Sequence, residues 1–256
     1  MITFYIFYFL IGLVLGSFAN VCICRIPANE SIVFPRSRCP NCRSIIKWFQ
    51  NVPVLSYLFL KGKCSNCAAP ISIQYPLIEL ATGTAFLLLS FHYPVGLTLL
   101  QFSFFTLILI IISGIDYRHQ VIPDILSYTL VISGLLFSVL NQRPGLSWQA
   151  GLLNSVSGAA TGAVLLYLIT ILGKKAFKKD AMGAGDIKLL AGIGAYMGPK
   201  NTVFVLLLGS ILGSIIGLSL IFNKKIEKRD YLPFGPFLSI SAYIIIFISQ
   251  YLSILF

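Results

Sequence analysis

The sequence predicts an all-α polytopic membrane protein of about eight transmembrane helices, with a small cysteine-rich zinc-knuckle loop after the first helix. Three observations carry that reading. Of 256 residues, 57% are hydrophobic and only 11% are charged, where soluble domains average about 25% charged. The apolar runs approach the roughly 20 residues that cross about 30 Å of hydrocarbon as a helix, and they lack the roughly ten-residue alternation of an outer-membrane barrel. The 19 Lys and Arg residues fall unevenly on alternate loops, as the positive-inside rule requires.

Taken in order, the expected spans are 2–22, 75–91, 96–115, 125–140, 150–172, 187–198, 202–222 and 232–254. The first is expected to be a retained helix and not a cleaved signal peptide. It has no Lys or Arg near its start and no small-residue cleavage site before Cys22. The segment 187–198 is short for a span. Counting it as one nevertheless gathers seventeen Lys and Arg on one side, in loops 23–74, 116–124, 173–188 and 223–230, against Arg143 and Lys200 on the other. Both termini then face outward and the basic loops face the cytoplasm. The formal net charge of +11 is accordingly a topology signal and not a nucleic-acid footprint. Small residues four apart, at Gly12 and Gly16, Gly158 and Gly162, and Gly209 and Gly213, predict close helix packing and no chemistry.

The loop after the first helix carries Cys39-Pro40-Asn41-Cys42 and, after twenty-one residues, Cys64-Ser65-Asn66-Cys67. Four thiolates in two C-x-x-C knuckles suit a tetrahedral zinc ion, which would fold a loop too small to build its own core. Redox chemistry at one C-x-x-C, disulfide formation and a metal-free loop are the rival readings. A cytoplasmic face disfavours stable disulfides, and two matched pairs exceed what a redox site needs. Cys22 and Cys24, outside the knuckles, read as buried, inert thiols.

The chain has only eight acidic residues, and Glu79, Asp116, Asp124, Asp180, Asp186 and Asp230 lie near membrane boundaries. A carboxylate beside a membrane segment is costly without a partner or a task. Asp124 follows Pro123 at a helix start, where an acid is favoured by the helix dipole. Asp180 sits among lysines and reads as solvated. Asp116 ends an apolar run in Ser113-Gly114-Ile115-Asp116, a helix end that disfavours negative charge, so it lacks such an explanation. Asp186 follows Gly183-Ala184-Gly185, where glycines permit tight or positive-φ backbone and close approach of another chain. A helix-capping Asp after a Gly-rich turn explains the same motif equally well. The topology puts Asp116 and Asp186 at the same cytoplasmic depth, as a carboxylate dyad requires. An ion-coupled transporter using intramembrane Asp residues and a non-enzymatic zinc-ribbon scaffold are the alternatives.

These residues form an ordered pattern. It runs from Gly16-Ser17-Phe18-Ala19-Asn20-Val21, with Arg25 and Pro27, through both knuckles to Asn51-Val52-Pro53 with Ser56-Tyr57. It continues in Tyr75-Pro76 with Glu79, Ile115-Asp116, Ile122-Pro123-Asp124 and Gly183-Ala184-Gly185-Asp186. Over nearly its whole length the chain resembles the bacterial type IV prepilin peptidases, bifunctional leader peptidases and N-methyltransferases of pilus and type II secretion systems. Gly-x-Gly-Asp alone is weak, because other intramembrane proteases share it; the ordered combination is specific. Cys24 stands where the family usually has an apolar or aromatic residue before the Arg.

The resemblance implies an aspartic endopeptidase with Asp116 and Asp186 catalytic, supported by the backbone at Gly183 and Gly185. It implies structural zinc on Cys39, Cys42, Cys64 and Cys67, and cleavage of the basic leader of prepilins or pseudopilins after a glycine. S-adenosylmethionine would be the methyl donor. No G-x-G-x-x-G follows a strand, so the donor site falls in the N-terminal half, with Glu79 as one contact; a helix-start acid after Pro76 explains Glu79 equally well. The expected division is 1–92 for the methyltransferase part and 93–256 for a six-helix peptidase domain, in the bacterial inner membrane with both sites facing the cytoplasm. Expected partners are the pilin substrates and the lipid bilayer, with no nucleic acid.

Overall fold

The computed structural model describes residues 1–141, 147–177, 183–223 and 232–255. Asp180, Asp230, Arg143 and the lysines and arginine at 178–179 and 224–229 lie outside the described residues. The chain divides into two compact units, 1–111 and 112–256.

The first unit contains helix α1 (Ile2–Arg25), a 3₁₀ turn at Trp48–Asn51, the short α2 (Leu55–Phe59), α3 (Gln74–His92) and the larger part of α4 (Leu97–His119). Helices α1 and α3 pack together through the expected glycines. A Cβ on Gly12 would come within 2.8 Å of Gly83 Cα, and one on Gly16 within 2.7 Å of Glu79 Cα. In lipid, where apolar burial drives little association, such backbone approach supplies the packing. Cys22 is buried as expected, but Cys24 is exposed. Two residues along a helix turn about 200°, so the two thiols cannot share a face.

The second unit holds the end of α4, α5 (Asp124–Leu140), α6 (Trp148–Phe177), α7 (Ala184–Phe222) and α8 (Gly235–Leu255). Helix α7 packs against α5, α6 and α8. Gly158 and Gly194 bring α6 and α7 so close that a Cβ on Gly158 would meet Gly194 O at 2.1 Å. Ser155 Oγ donates across the same seam to Ala195 O at 2.6 Å, and Tyr196 OH donates to Ser133 Oγ of α5 at 2.8 Å. Interhelical bonds of this kind contribute about 0.6–2 kcal/mol each in membranes. They fix the half of α7 that begins at the Gly-x-Gly-Asp motif.

The two segments expected at 187–198 and 202–222 are two helices, together labelled α7, that meet at Gly198, whose φ of 75° and ψ of 171° are non-helical, with Pro199 next. Only glycine adopts that backbone readily, and proline removes a helical N–H. Four helices among the described residues are long and apolar enough to cross a membrane: α1, α4, the 148–175 part of α6, and α7. Shorter apolar helices lie at Asp124–Leu140 and Gly235–Ser249. The protein is thus an all-helical, multi-pass membrane protein; the finer count of about eight spans belongs to the topology proposed below.

A candidate aspartate pair and a four-cysteine module

Asp116 stands in the last turn of α4, and Asp186 in the first turn of α7. Both are buried, at 4% and 3% exposure, in a chain with few acids. Asp116 and Asp186 are close enough to interact electrostatically. Asp116 Oδ2 accepts the backbone N–H of Gly235 at 2.9 Å. Gly235 opens α8, and the first N–H groups of a helix have no partner within it; one of them is given to the aspartate. A Cβ at Gly235 would lie 2.7 Å from Asp116 Oδ2, so the residue there must be glycine for the contact to form.

Gly183 and Gly185 act differently from the expectation of positive-φ backbone. Gly183 is the N-cap of α7 in extended conformation, φ −76° and ψ 147°. Its backbone hydrogen-bonds the Asp186 carboxyl, and the Asp186 N–H returns to Gly183 O at 3.2 Å. The Asp186 carboxyl thus lies against the Gly183 backbone at the start of its helix, as well as facing Asp116. Gly185 is helical and serves close approach: a Cβ there would sit 2.9 Å from Ile122 Cβ. The buried Ile122 also lies beneath Gly235, with Cδ1 3.3 Å from a Cβ built there. One isoleucine thereby wedges the approaches to both aspartates.

Asp124, the first residue of α5, is exposed and pairs with Lys188 at 2.7 Å. It is not buried with the pair. Sequence reasoning missed Gly235 and Ile122 as site residues. The available signal was Pro233-Phe234-Gly235-Pro236, a glycine at a helix start flanked by prolines.

In the first unit, the sulfurs of Cys39, Cys42, Cys64 and Cys67 lie within 4.8 Å of one another. Cys39 Sγ and Cys67 Sγ are 3.8 Å apart. A disulfide needs about 2.05 Å, whereas tetrahedral zinc with Zn–S near 2.3 Å holds its sulfurs about 3.8 Å apart. The residues fit zinc. The two knuckles are built alike. The N–H of Cys39 donates to Ser44 O and that of Arg43 to Cys39 O; the N–H of Cys64 donates to Ala69 O and that of Ala68 to Cys64 O. Arg43 and Ala68 both take positive φ, 58° and 55°. Each knuckle's Asn reaches the other's second cysteine, Asn41 Nδ2 to Cys67 Sγ at 3.8 Å and Asn66 Nδ2 to Cys42 Sγ at 3.6 Å. Hydrogen bonding, led by the Ser44 side chain, lowers the Cys42 thiol to about 6, and backbone hydrogen bonds lower Cys64, both toward the thiolate a metal requires, while Cys67, beside the other sulfurs, is raised.

Glu79 is buried in α3 and accepts the Val54 N–H on Oε2 at 2.8 Å, with a further hydrogen bond to the Ser17 side chain. Val54 has φ of 62°, an unusual conformation for a β-branched residue. Glu79 thus anchors the turn after Asn51-Val52-Pro53. A cleft of about 410 Å³ in the same unit has Arg25 and Arg36 in its lining and no carboxylate. S-adenosylmethionine carries a sulfonium charge and a ribose diol, which favour acidic partners, and an α-carboxylate, which favours arginine. The lining of this cleft answers only the carboxylate, and Glu79 already accepts the Val54 N–H.

Paired buried carboxylates at helix ends, in a helical membrane protein with a four-thiol module, define the outline of a membrane aspartic peptidase. The chain belongs to the type IV leader peptidase family. Residues 103–218 match the model of that family, and residues 10–93 match the bacterial peptidase A24 N-terminal domain. A prepilin leader peptidase/N-methyltransferase of Aeromonas hydrophila is 34% identical over 260 residues, covering 92% of this chain and 88% of that protein. One of Bacillus subtilis is 37% identical over 242 residues, covering 92% of each. One of Myxococcus xanthus is 35% identical over 215 residues, covering 84% of this chain and 62% of that longer protein. No solved structure matches.

Proposed function

We propose that this protein removes the basic leader of type IV prepilins or pseudopilins after a glycine, at the cytoplasmic face of the bacterial inner membrane, and N-methylates the new N-terminal residue. The observation that carries the peptidase reading is the buried pair Asp116 and Asp186, brought together from helices seventy residues apart in sequence. One carboxylate takes a proton from water while the other, protonated, donates to the scissile carbonyl oxygen. The Gly235 N–H orients Asp116, and the Gly183 cap orients Asp186. The names of the relatives support both activities.

The topology that goes with this has about eight spans, both termini outward and the basic loops cytoplasmic. The break at Gly198-Pro199 supports counting α7 as two crossings. The methyltransferase part is 1–92 and the peptidase part 93–256. Zinc is held by Cys39, Cys42, Cys64 and Cys67. S-adenosylmethionine is the methyl donor by chemical class of reaction, and Glu79 shapes the Val52–Val54 turn of that part. An ion-coupled transporter has no support: its carboxylates belong near the midplane on broken helices, whereas these lie in the end turns of α4 and α7.

The test is cleavage of a prepilin in liposomes. Asp116→Ala and Asp186→Ala are each expected to lose about a hundred- to ten-thousand-fold in rate. Full activity in either variant sinks the dyad. Methylation of pre-cleaved pilin is expected to survive both substitutions, because the two activities occupy separate parts.

A further inference from the structure

We infer that the cleft at the end of α1 is a binding site for the headgroup of an anionic phospholipid. The inference rests on α1 crossing the membrane, and is independent of the peptidase assignment. The cleft, about 410 Å³, opens where the apolar α1 gives way to the cysteine loop. Its polar lining residues are Arg25, Arg36, Ser37 and Asn51, and its apolar ones include Ile32, Val33 and Trp48. Arg25 is held in place by donating to Ser31 O at 2.9 Å and Pro35 O at 2.8 Å. A guanidinium has five N–H donors, so others remain for a ligand.

Two guanidinium groups suit a phosphate, which arginine recognises by paired hydrogen bonds. A free phosphate would leave the apolar side of the cleft unused. A phospholipid uses both, with its phosphate on the arginines and its glycerol and first methylenes against Ile32, Val33 and Trp48. Charge agrees: residues 23–74 carry seven Lys and Arg against Glu30 alone, and basic segments beside a membrane helix are drawn to anionic lipid. Trp48 is 83% exposed, and Phe34 and Phe59 of the same loop are exposed as well. Aromatic rings left bare to this extent mark an interaction surface, and tryptophan favours the headgroup level.

The experiment uses the full chain in the Trp148→Phe background, which leaves Trp48 as the sole tryptophan. The protein is placed in nanodiscs of phosphatidylcholine with or without phosphatidylglycerol, each lipid in brominated form in turn. Trp48 emission is expected to shift to the blue when phosphatidylglycerol is present, and to be quenched severalfold more strongly by its brominated form than by brominated phosphatidylcholine. Arg36→Gln, with circular dichroism unchanged, should lower that preference about five-fold, and Arg36→Lys should lower it less. Equal quenching by the two brominated lipids in the parent protein overturns the proposal. So does an undiminished preference in Arg36→Gln. A blue shift produced by inorganic phosphate in phosphatidylcholine discs assigns the cleft to a free anion and likewise overturns the lipid. Because both leaflets of a nanodisc carry the same lipids, the result holds whichever way the chain is oriented, and prepilin cleavage tests the peptidase reading separately.

Discussion

The cysteine module and the aspartate pair are built by opposite means. Each knuckle is local: a cysteine, two residues, a second cysteine and a positive-φ residue close it, and the same design recurs twenty-five residues on. The aspartate pair is assembled from the ends of α4 and α7, and Asp116 is held by a backbone N–H 119 residues away. A local device depends on its ligand ion; a long-range device depends on helix packing. That contrast says where each should break.

The largest effect is expected from removing the zinc proposed for the four cysteines. Structural zinc sites of this kind supply about 10–16 kcal/mol of folding free energy. Cys39→Ser, or strong chelation, is therefore expected to open residues 26–73 to limited proteolysis, while the helices of the second unit keep their protection. Zinc content and mass-mapped cleavage sites check this. An equally resistant loop after complete metal removal would show that the four thiols are not what folds it.

Next come the glycines of the pair. Gly235→Ala drives a methyl group to 2.7 Å from Asp116 Oδ2, and Gly185→Ala drives one to 2.9 Å from Ile122 Cβ. Overpacking of this kind costs about 1–3 kcal/mol, and it falls on the geometry of the dyad. Prepilin cleavage should drop by roughly ten- to a hundred-fold in each variant while helix content is unchanged. Ile122→Gly, which removes the Cβ that the new methyl group meets, should restore part of the Gly185→Ala loss, because the two residues share the contact and their effects are not additive; Ile122→Ala keeps that atom and should restore little. No rescue at all would separate Ile122 from the site.

The same contrast explains what was legible in the sequence. The four cysteines announce themselves by spacing, and Asp116 and Asp186 by being acids beside apolar runs. Gly235 does not, because its task exists only once α8 has put its first N–H beside α4. Nor do Arg43 and Ala68, since nothing in either side chain signals a positive φ. For Gly183 and Gly185 the backbone reason differs from the expected one: φ is negative at Gly183, and close approach to Ile122 is what Gly185 supplies. Segments 187–198 and 202–222 read as separate because Gly198-Pro199 punctuates them, and the backbone is indeed non-helical at Gly198, so two helices meet there.

Finer still is the crossing of Asn41 and Asn66 between the knuckles. Outer hydrogen bonds to metal ligands are worth about 10–100-fold in metal affinity. Asn41→Ala and Asn66→Ala should each weaken zinc binding within that range, measured by competition with a chelating dye, without unfolding the loop. Equal effects from the two would follow from their matched positions. An effect from only one would mean the two knuckles are less alike in function than in backbone.

The smallest effect is expected at Asp124, and it tests whether burial is what sets apart the carboxylates proposed as catalytic. Asp124 belongs to the same motif region as Asp116, and its partner Lys188 is two residues beyond Asp186. Position in the chain therefore does not separate it from the pair. Burial does: Asp124 is 57% exposed and Lys188 35%, against 3–4% for the aspartates of the pair. An exposed ion pair contributes about 0.2–1 kcal/mol and is screened by salt. Asp124→Asn should accordingly leave cleavage within about five-fold of the parent, with the difference shrinking as salt is raised. A loss as large as that of Asp116→Ala would place Asp124 within the reacting set, and the site would then be a triad in which exposure does not distinguish the working acids.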